Sequence, residues 1–246
     1  MAPKEVPLKG GNMTDVARRG DRVLRESGPW TPTVQRLLAH LRASGIAWSP
    51  EPLGWTKDGR EALAYVKGSV PVYPLPDWVY EDAVLKRAGK WLRKLHEATA
   101  DYADPEAHWR LPPRRPAEVI CHNDFAPYNM VFRHGELVGV IDWDFAGPGP
   151  RLWDLAYLAY RLVPLMRPDN PDAPTLHIDL AGRLRLLLNA YGADATIPQL
   201  LAVIVERLEN LAAVTHGHGV ATGKKNLIRD AAQYAEDAAY LGGLFR

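Results

Sequence analysis

The feature that most constrains this sequence is a short stretch in which polar residues interrupt two apolar, strand-like runs. The stretch covers residues 121–144 and places Asp124, Asn129 and Asp142 among valine, isoleucine, phenylalanine and tryptophan. Burying such a polar group without a partner costs on the order of several kcal/mol. A fold that contains this stretch has to supply those partners, which indicates a functional site.

The spacing within this stretch matches a pattern used in phosphoryl transfer. Asn129 follows Asp124 by five residues, and Asp142 follows Asp124 by 18. The reaction needs a carboxylate that takes the proton of a hydroxyl and oxygen ligands for the Mg²⁺ on the nucleotide phosphates. In the kinase pattern His-x-Asp-x-x-x-x-Asn the aspartate is the base and the asparagine binds metal. His122, Asp124 and Asn129 reproduce that pattern, and Asp142 stands where a second metal-binding aspartate is expected.

Through these residues the chain resembles the aminoglycoside phosphotransferase family, the small-molecule branch of the kinase-like fold. The family motifs appear here as His122-Asn123-Asp124, Asn129, Ile141-Asp142-Trp143 and Asp154-Leu155-Ala156. The resemblance implies that Asp124 is the catalytic base and that Asn129 and Asp142 bind Mg²⁺. It also implies that His122 supports the loop and that Asp154 anchors the loop by capping a helix.

The resemblance further implies an α+β, protein-kinase-like two-lobed fold. Strand patterns within residues 8–25 and 52–66, with a helix from residue 31 to Gly45 between them, predict a small nucleotide-binding lobe over residues 1–66. The proline-rich residues 67–76 predict a hinge. Residues 77–246 predict a mainly helical lobe with the catalytic and substrate site. Its helical patterns cover residues 81–100, 152–165, 180–191, 198–214 and 226–244, so His216 and His218 fall in a predicted loop.

The nucleotide-binding features are expected in the small lobe. By the resemblance, a turn formed by Gly10, Gly11 and Asn12 would cover the phosphates, and the backbone around Ala64 and Val66 would face the adenine. Kinase-like proteins pair a strand lysine with a helix glutamate. This chain has Arg25 on the matching strand, and the following helix offers Gln35 and no acidic partner. We expect Arg25 to neutralise phosphate without the compact charge of lysine.

Composition excludes several function classes. The 30 lysine and arginine residues balance 29 aspartate and glutamate residues, so the chain lacks the surplus of cations that a general nucleic-acid binder needs. A single cysteine, Cys121, excludes an internal disulfide and is typical of a reducing compartment. No window approaches the ~20 apolar residues of a membrane span, and the N-terminus has no signal-peptide pattern. We therefore expect a cytoplasmic protein whose partners are a nucleotide and a small-molecule hydroxyl acceptor.

The leading hypothesis is a phosphotransferase that uses ATP or GTP with Mg²⁺ and acts on an antibiotic, an amino sugar or a metabolite. One alternative is a non-catalytic kinase-like binding or immunity protein, which Arg25 favours. Another is a metal-dependent hydrolase built on His122, Asp124, Asp142 and Asp144, although no further histidine lies nearby in sequence. Asp144 is predicted either to approach the metal or to support the site. The acceptor, the choice between ATP and GTP, and the oligomeric state stay open.

Overall fold

A computed structural model describes residues 4–8 and 16–244, so the predicted turn of Gly10, Gly11 and Asn12 lies outside the described residues. The chain divides into two compact units. The first comprises Met1–Val70, Lys94–Asp124 and Asn129–Gly149, and the second comprises Pro71–Arg93, Phe125–Tyr128 and Pro150–Arg246. The lobe limits and the hinge at residues 67–76 stay predictions.

The first unit contains a five-stranded antiparallel sheet. In chain order its strands are β1 (Glu5–Pro7), β2 (Val16–Arg19), β3 (Arg22–Arg25), β4 (Pro52–Trp55) and β5 (Glu61–Ala64), and their spatial order is β1-β2-β3-β5-β4. The β2–β3 hairpin turns at Gly20, whose φ of 63° suits glycine. Because β3 and β5 are antiparallel, their register places Arg25 directly opposite Glu61.

Helix α1 (Thr31–Ala43) belongs to the same unit and contacts β4. The predicted helix is confirmed, and its proline lies in the first turn, where the missing N–H costs nothing. Its buried apolar residues are Val34, Leu37, Leu38 and Leu41, which recur at helical spacing. Gly45 ends the helical run with a φ of 78°.

Two short strand pairs hold the stretch at residues 121–144. Strand β6 (Val119–Cys121) pairs with β9 (Gly147–Gly149), and β7 (Met130–Arg133) pairs with β8 (Glu136–Val140). Asp124 therefore follows β6, Asn129 immediately precedes β7, and Asp142 follows β8. The polar residues lie at strand ends, while the strands bury Ile120, Val131 and other apolar side chains.

The regular elements that the structure describes in the second unit are helical. Helix α2 (Asp82–Ala98) begins there, followed by α3 (Arg151–Leu162), α4 (Leu180–Tyr191), α5 (Ile197–Thr222) and α6 (Lys225–Leu244). Helix α5 packs against both α3 and α6. Within the described ranges, no helix combines the length and the apolar character that crossing a membrane requires.

Helix α5 is longer than the sequence pattern predicts. It continues past Val214 to Thr222 and ends at Gly223, whose φ is 68°. His216 and His218 therefore lie inside a helix, and the loop predicted for them is wrong. The loop prediction fails because Gly219 serves helix packing: an added Cβ at this position would come within 2.9 Å of Ile228 Cγ1 on α6. The glycine permits close helix packing here and does not end the helix.

Candidate active site

Asp124 and Asn129 hold each other in the loop after β6. The Asn129 Nδ2 group donates hydrogen bonds to Asp124 Oδ2 at 2.8 Å and to the Asp124 backbone carbonyl at 2.9 Å. Asn129 is buried, and its Oδ1 atom makes no hydrogen bond to any described residue. The amide therefore fixes the Asp124 carboxylate and leaves its own oxygen for a cation.

His122 is engaged through both ring nitrogens. Its Nδ1 accepts a hydrogen bond from the Asp124 backbone N–H at 3.2 Å, so Nε2 carries the proton and donates to the Ile141 carbonyl at 3.1 Å. The ring also packs against Trp143, with 4.6 Å between the centroids. This arrangement ties the Asp124 loop to the end of β8. It leaves neither nitrogen for a metal, which argues against the hydrolase that the sequence left open.

The backbone adopts a left-handed conformation at two points of the site. Asn123 has a φ of 63° and Asp142 a φ of 62°. Asparagine and aspartate tolerate this region better than other side-chain-bearing residues, at a cost of about 1–3 kcal/mol. The Asn123 Nδ2 group donates to the Phe145 carbonyl at 2.9 Å, and the Ile141 N–H donates to the Asn129 carbonyl at 2.9 Å. The bond from Ile141, the residue before Asp142, holds Asp142 next to Asn129.

Arg25 is buried and faces three carboxylates. Its Nε donates to Glu61, its Nη2 donates to Asp144 Oδ1 at 2.5 Å, and its Nη1 lies 3.4 Å from Asp142 Oδ1. Desolvation opposes the charge of Arg25, but the three carboxylates outweigh desolvation and raise its pKa. Arg25 therefore links the central strands of the sheet to the residues after β8.

Glu61 is the functional residue that sequence reasoning missed. The following helix has no acidic partner for Arg25, as predicted, but Glu61 supplies one from the neighbouring strand β5. Glu61 is fully buried, and its second oxygen accepts a hydrogen bond from Gln35 Nε2 at 2.7 Å. Gln35 in turn accepts one from the Gly54 N–H at 3.0 Å. Pairing β3 with β5 in this register would have identified Glu61, because residues directly opposite each other on antiparallel strands are close neighbours.

Asp144 supports the site through two arginines. Its Oδ1 atom accepts from Arg25, and its Oδ2 atom lies 3.3 Å from Arg110 Nη1. The Arg110 guanidinium stacks over Trp30 at 4.3 Å and over Phe145 at 4.6 Å. Because both carboxylate oxygens face arginines, the structure favours the supporting contact over a metal contact for Asp144.

Asp142 is the more accessible of the two acids, with 47% of its side chain exposed. Desolvation by the surrounding protein raises the pKa of Asp142 to about 6, against the lowering effect of Arg25, and the neighbouring Asp144 and Asp124 raise it further. The cluster thus contains four carboxylates, those of Glu61, Asp124, Asp142 and Asp144, and two arginines, Arg25 and Arg110. The excess negative charge suits a divalent cation, and the amide and carboxylate oxygens are the ligand type that Mg²⁺ prefers.

Two predicted nucleotide contacts lie at the end of β5. The Ala64 N–H donates to the Glu51 carbonyl and the Tyr65 N–H to the Asp21 carbonyl, both at 2.9 Å. The Val66 N–H makes no backbone hydrogen bond within the described part of the chain. An adenine contact through a backbone donor therefore fits Val66 better than Ala64, and the role of both stays a prediction.

Asp154 lies in the second unit, buried in the first turn of α3. The N-cap of that helix is Pro150, so Asp154 is not the capping residue and the capping role is wrong. The predicted helix start at residue 152 is within one residue of the observed start at Arg151, and it is the assignment of Asp154 as the cap that fails, because Asp154 lies three residues inside the helix. The supporting role of Asp154 stays a prediction.

Comparison with known proteins identifies the class. A profile of the phosphotransferase enzyme family matches residues 93–188, a range that includes all the motif residues. A trifolitoxin immunity protein from Rhizobium leguminosarum bv. trifolii is 40% identical over 197 residues, covering 76% of this chain and 74% of that protein. The chain belongs to the phosphotransferase enzyme family.

Solved structures agree on the fold. A macrolide 2'-phosphotransferase from Brachybacterium faecium matches with a TM-score of 0.63 and 16% identity, over 94% of this chain and 92% of that one. A Plasmodium vivax ethanolamine kinase matches with a TM-score of 0.69 and 10% identity, over 96% and 82% of the two chains. These likenesses confirm the predicted α+β, protein-kinase-like fold class.

Proposed function

We propose that the protein transfers the γ-phosphoryl group of ATP or GTP, with Mg²⁺, to a hydroxyl of a small molecule such as an antibiotic, an amino sugar or a metabolite. One observation carries the proposal. The Asn129 amide holds the Asp124 carboxylate while its own Oδ1 makes no hydrogen bond to a described residue, close in the fold to the strand end that carries Asp142. A base and two oxygen ligands are thereby arranged as phosphoryl transfer requires.

Each residue then has a defined task. Asp124, oriented by Asn129, accepts the proton of the acceptor hydroxyl as the oxygen attacks phosphorus. Asn129 Oδ1 and the Asp142 carboxylate would hold Mg²⁺, which when bound neutralises the charge of the nucleotide phosphates. His122 keeps the loop joined to β8 through its two backbone contacts.

Arg25 acts mainly as a positioning residue in this proposal. Its three nitrogens are already directed at Glu61, Asp144 and Asp142. A buried ion pair with such partners is costly to break, because the charges left behind have no compensation. Arg25 therefore orients Asp142 and Asp144, and its contribution to direct phosphate binding is secondary.

A second candidate is a non-catalytic binding protein with an immunity role. Two observations favour it: the relative at 40% identity is named an immunity protein, and Arg25 approaches an oxygen of the predicted metal ligand Asp142. Such a protein would bind its ligand without consuming nucleotide.

The deciding experiment is a transfer assay with Mg²⁺ and ATP or GTP against amino sugars, nucleoside antibiotics, choline and homoserine, with the product detected by mass spectrometry. Asp124→Asn should lower the rate about 10²–10⁴-fold. Asp58→Asn, which changes an exposed acid in the β4–β5 turn, is the matched control and should keep full activity. Wild-type activity in Asp124→Asn would overturn the assignment of the base. Nucleotide that neither binds nor is consumed would favour the binding protein.

A further inference from the structure

The second unit contains a buried arginine that the proposed chemistry does not use. Arg161 on α3 is only 5% exposed, and its guanidinium carbon lies 4.9–5.7 Å from the ring centroids of five tyrosines. These are Tyr73, Tyr128, Tyr157, Tyr160 and Tyr234. Together with Asp172 they are called the Arg161 cluster below. All of its members lie in the second unit.

The charge of Arg161 is compensated mainly by tyrosines and not by a close carboxylate. Desolvation opposes the charge, but Tyr157, Tyr234 and the other tyrosines outweigh desolvation and raise the pKa of Arg161. Its Nη2 donates to the Tyr234 hydroxyl at 2.7 Å and its Nε to the Tyr157 hydroxyl at 3.3 Å. Its contact with a carboxylate is long, 3.4 Å from Nη1 to Asp172, and the Asp172 side chain is 30% exposed. Burial raises the pKa of Tyr73 and Tyr160, so their hydroxyls stay neutral at neutral pH. A buried guanidinium normally has closer anionic partners than this one.

Two buried hydroxyl groups, that of Tyr73 in the cluster and that of Tyr80 beside it, are poorly satisfied; the Tyr73 hydroxyl interacts with Arg161 outside ordinary hydrogen-bond geometry. The buried hydroxyls of Tyr73 and Tyr80 make no hydrogen bond of ordinary geometry to the described residues. Tyr80 is 4% exposed, and its hydroxyl lies within the electrostatic influence of Tyr73, Arg161 and Asp172. Buried polar atoms in native proteins are almost always hydrogen-bonded, so such orphans point to a ligand that is not part of the chain.

We propose that the Arg161 cluster binds the carboxylate of a small molecule, next to an apolar or aromatic part of that molecule. The planar guanidinium matches a carboxylate. Three of its five N–H donors make hydrogen bonds and a fourth interacts with Tyr73, so one remains for a ligand. Tyrosine faces suit an apolar body. A phosphate dianion would require a further cation. The other arginine near Tyr80 is Arg183, which already binds Asp82 and the backbone carbonyls of Tyr80 and Leu162.

The cluster is partly accessible from solvent. Tyr73, Tyr128, Tyr234 and Asp172 are only half-buried, which gives a small molecule a way in. The proposed carboxylate site does not depend on the proposed phosphotransferase function.

The test is a binding titration without nucleotide, followed by NMR, on the full chain. Benzoate should bind at least about tenfold more tightly than its uncharged analogue benzamide. Asp172→Asn removes the internal competitor of the ligand and should tighten benzoate binding about threefold to tenfold, with no effect on benzamide. Arg161→Gln should abolish the preference for benzoate.

The controls separate this site from a merely structural cluster. Asp230→Asn removes an exposed acid that pairs with Arg229 on α6, and it should leave benzoate binding unchanged. Equal affinity for benzoate and benzamide, or weaker benzoate binding in Asp172→Asn, would overturn the inference even if Arg161→Gln fails to fold. A protein with no transfer activity that still binds benzoate would refute the proposed function and retain the site.

Discussion

Two buried arginines, one in each unit, have opposite surroundings. Arg25 is 6% exposed and faces Glu61, Asp144 and Asp142. Arg161 is 5% exposed and faces five tyrosine rings and one carboxylate, Asp172, at 3.4 Å. The same side chain thus lies in an excess of negative charge in the first unit and is surrounded mainly by neutral tyrosines in the second.

This difference assigns different ligands to the two regions. Where carboxylates outnumber guanidinium groups, the remaining negative charge attracts a divalent cation. Where a guanidinium lacks a close anion, an anionic ligand lowers its desolvation cost. The comparison therefore predicts a cation site around Arg25 and an anion site around Arg161. The following predictions test these two sites.

The largest effect is expected for Glu61→Ala. This change leaves Arg25 without its cross-strand partner inside the sheet, and breaking a buried pair in this way costs about 3–5 kcal/mol. At about 2–4 °C per kcal/mol the melting temperature should fall by about 10 °C, measurable by calorimetry. Asp21→Asn, in an exposed pair with Lys67, is the control and should leave the melting temperature unchanged. Equal melting temperatures for Glu61→Ala and wild type would contradict the structural role of the pair.

Asp142→Asn tests the cation site directly. Loss of one charged ligand should weaken Mn²⁺ binding about a hundredfold, measured by electron paramagnetic resonance with a bound nucleotide. Asp58→Asn again serves as the control, because Asp58 pairs with Arg60 in the exposed turn. If Mn²⁺ affinity is the same in both variants, Asp142 is not a ligand.

Tyr234→Phe tests how Arg161 is held. The variant loses the 2.7 Å hydrogen bond to Nη2 and keeps the ring. We expect a loss of about 1 kcal/mol in the free energy of unfolding, seen in urea as a lower midpoint with an unchanged slope. Tyr240→Phe is the matched change on the same helix. If Tyr240→Phe lowers the free energy of unfolding as much as Tyr234→Phe does, the hydrogen bond between Arg161 and Tyr234 makes no specific contribution to stability.

The smallest effect concerns Glu5, an ion-pair partner in the first unit that has no role in either arginine site. Hydrogen bonds from Arg60 and Arg19 lower the pKa of Glu5 to about 2 from its ordinary 4.5. A lowered carboxylate pKa stabilises the fold above the unfolded-state value, and this stabilisation is lost as the pH falls from about 4.5 to about 2. Wild type should therefore be more stable than Glu5→Gln at pH 7, and the two should converge near pH 2. A stability difference between them that does not vary with pH would refute this linkage.

Much of the site was predictable because its residues are close in sequence. Asp124, Asn129 and Asp142 lie within one stretch of two strand pairs, so their spacing alone indicated the chemistry. Glu61 was not predictable from spacing, since its contact with Arg25 joins residues 36 positions apart through a strand register. Helix ends were also less predictable, as α5 shows, because packing against α6 decides whether a glycine ends a helix.

The sequence by itself determined the fold class and predicted the base and the oxygen ligands, since these predictions depend on local spacing and on polar residues between apolar runs. Only the tertiary structure decided what surrounds each buried charge. The sheet register supplies Glu61 to Arg25, and the fold of the second unit brings tyrosines from four separate segments to Arg161. Charge compensation depends on distances between atoms that are far apart in the chain, and a linear sequence does not contain those distances.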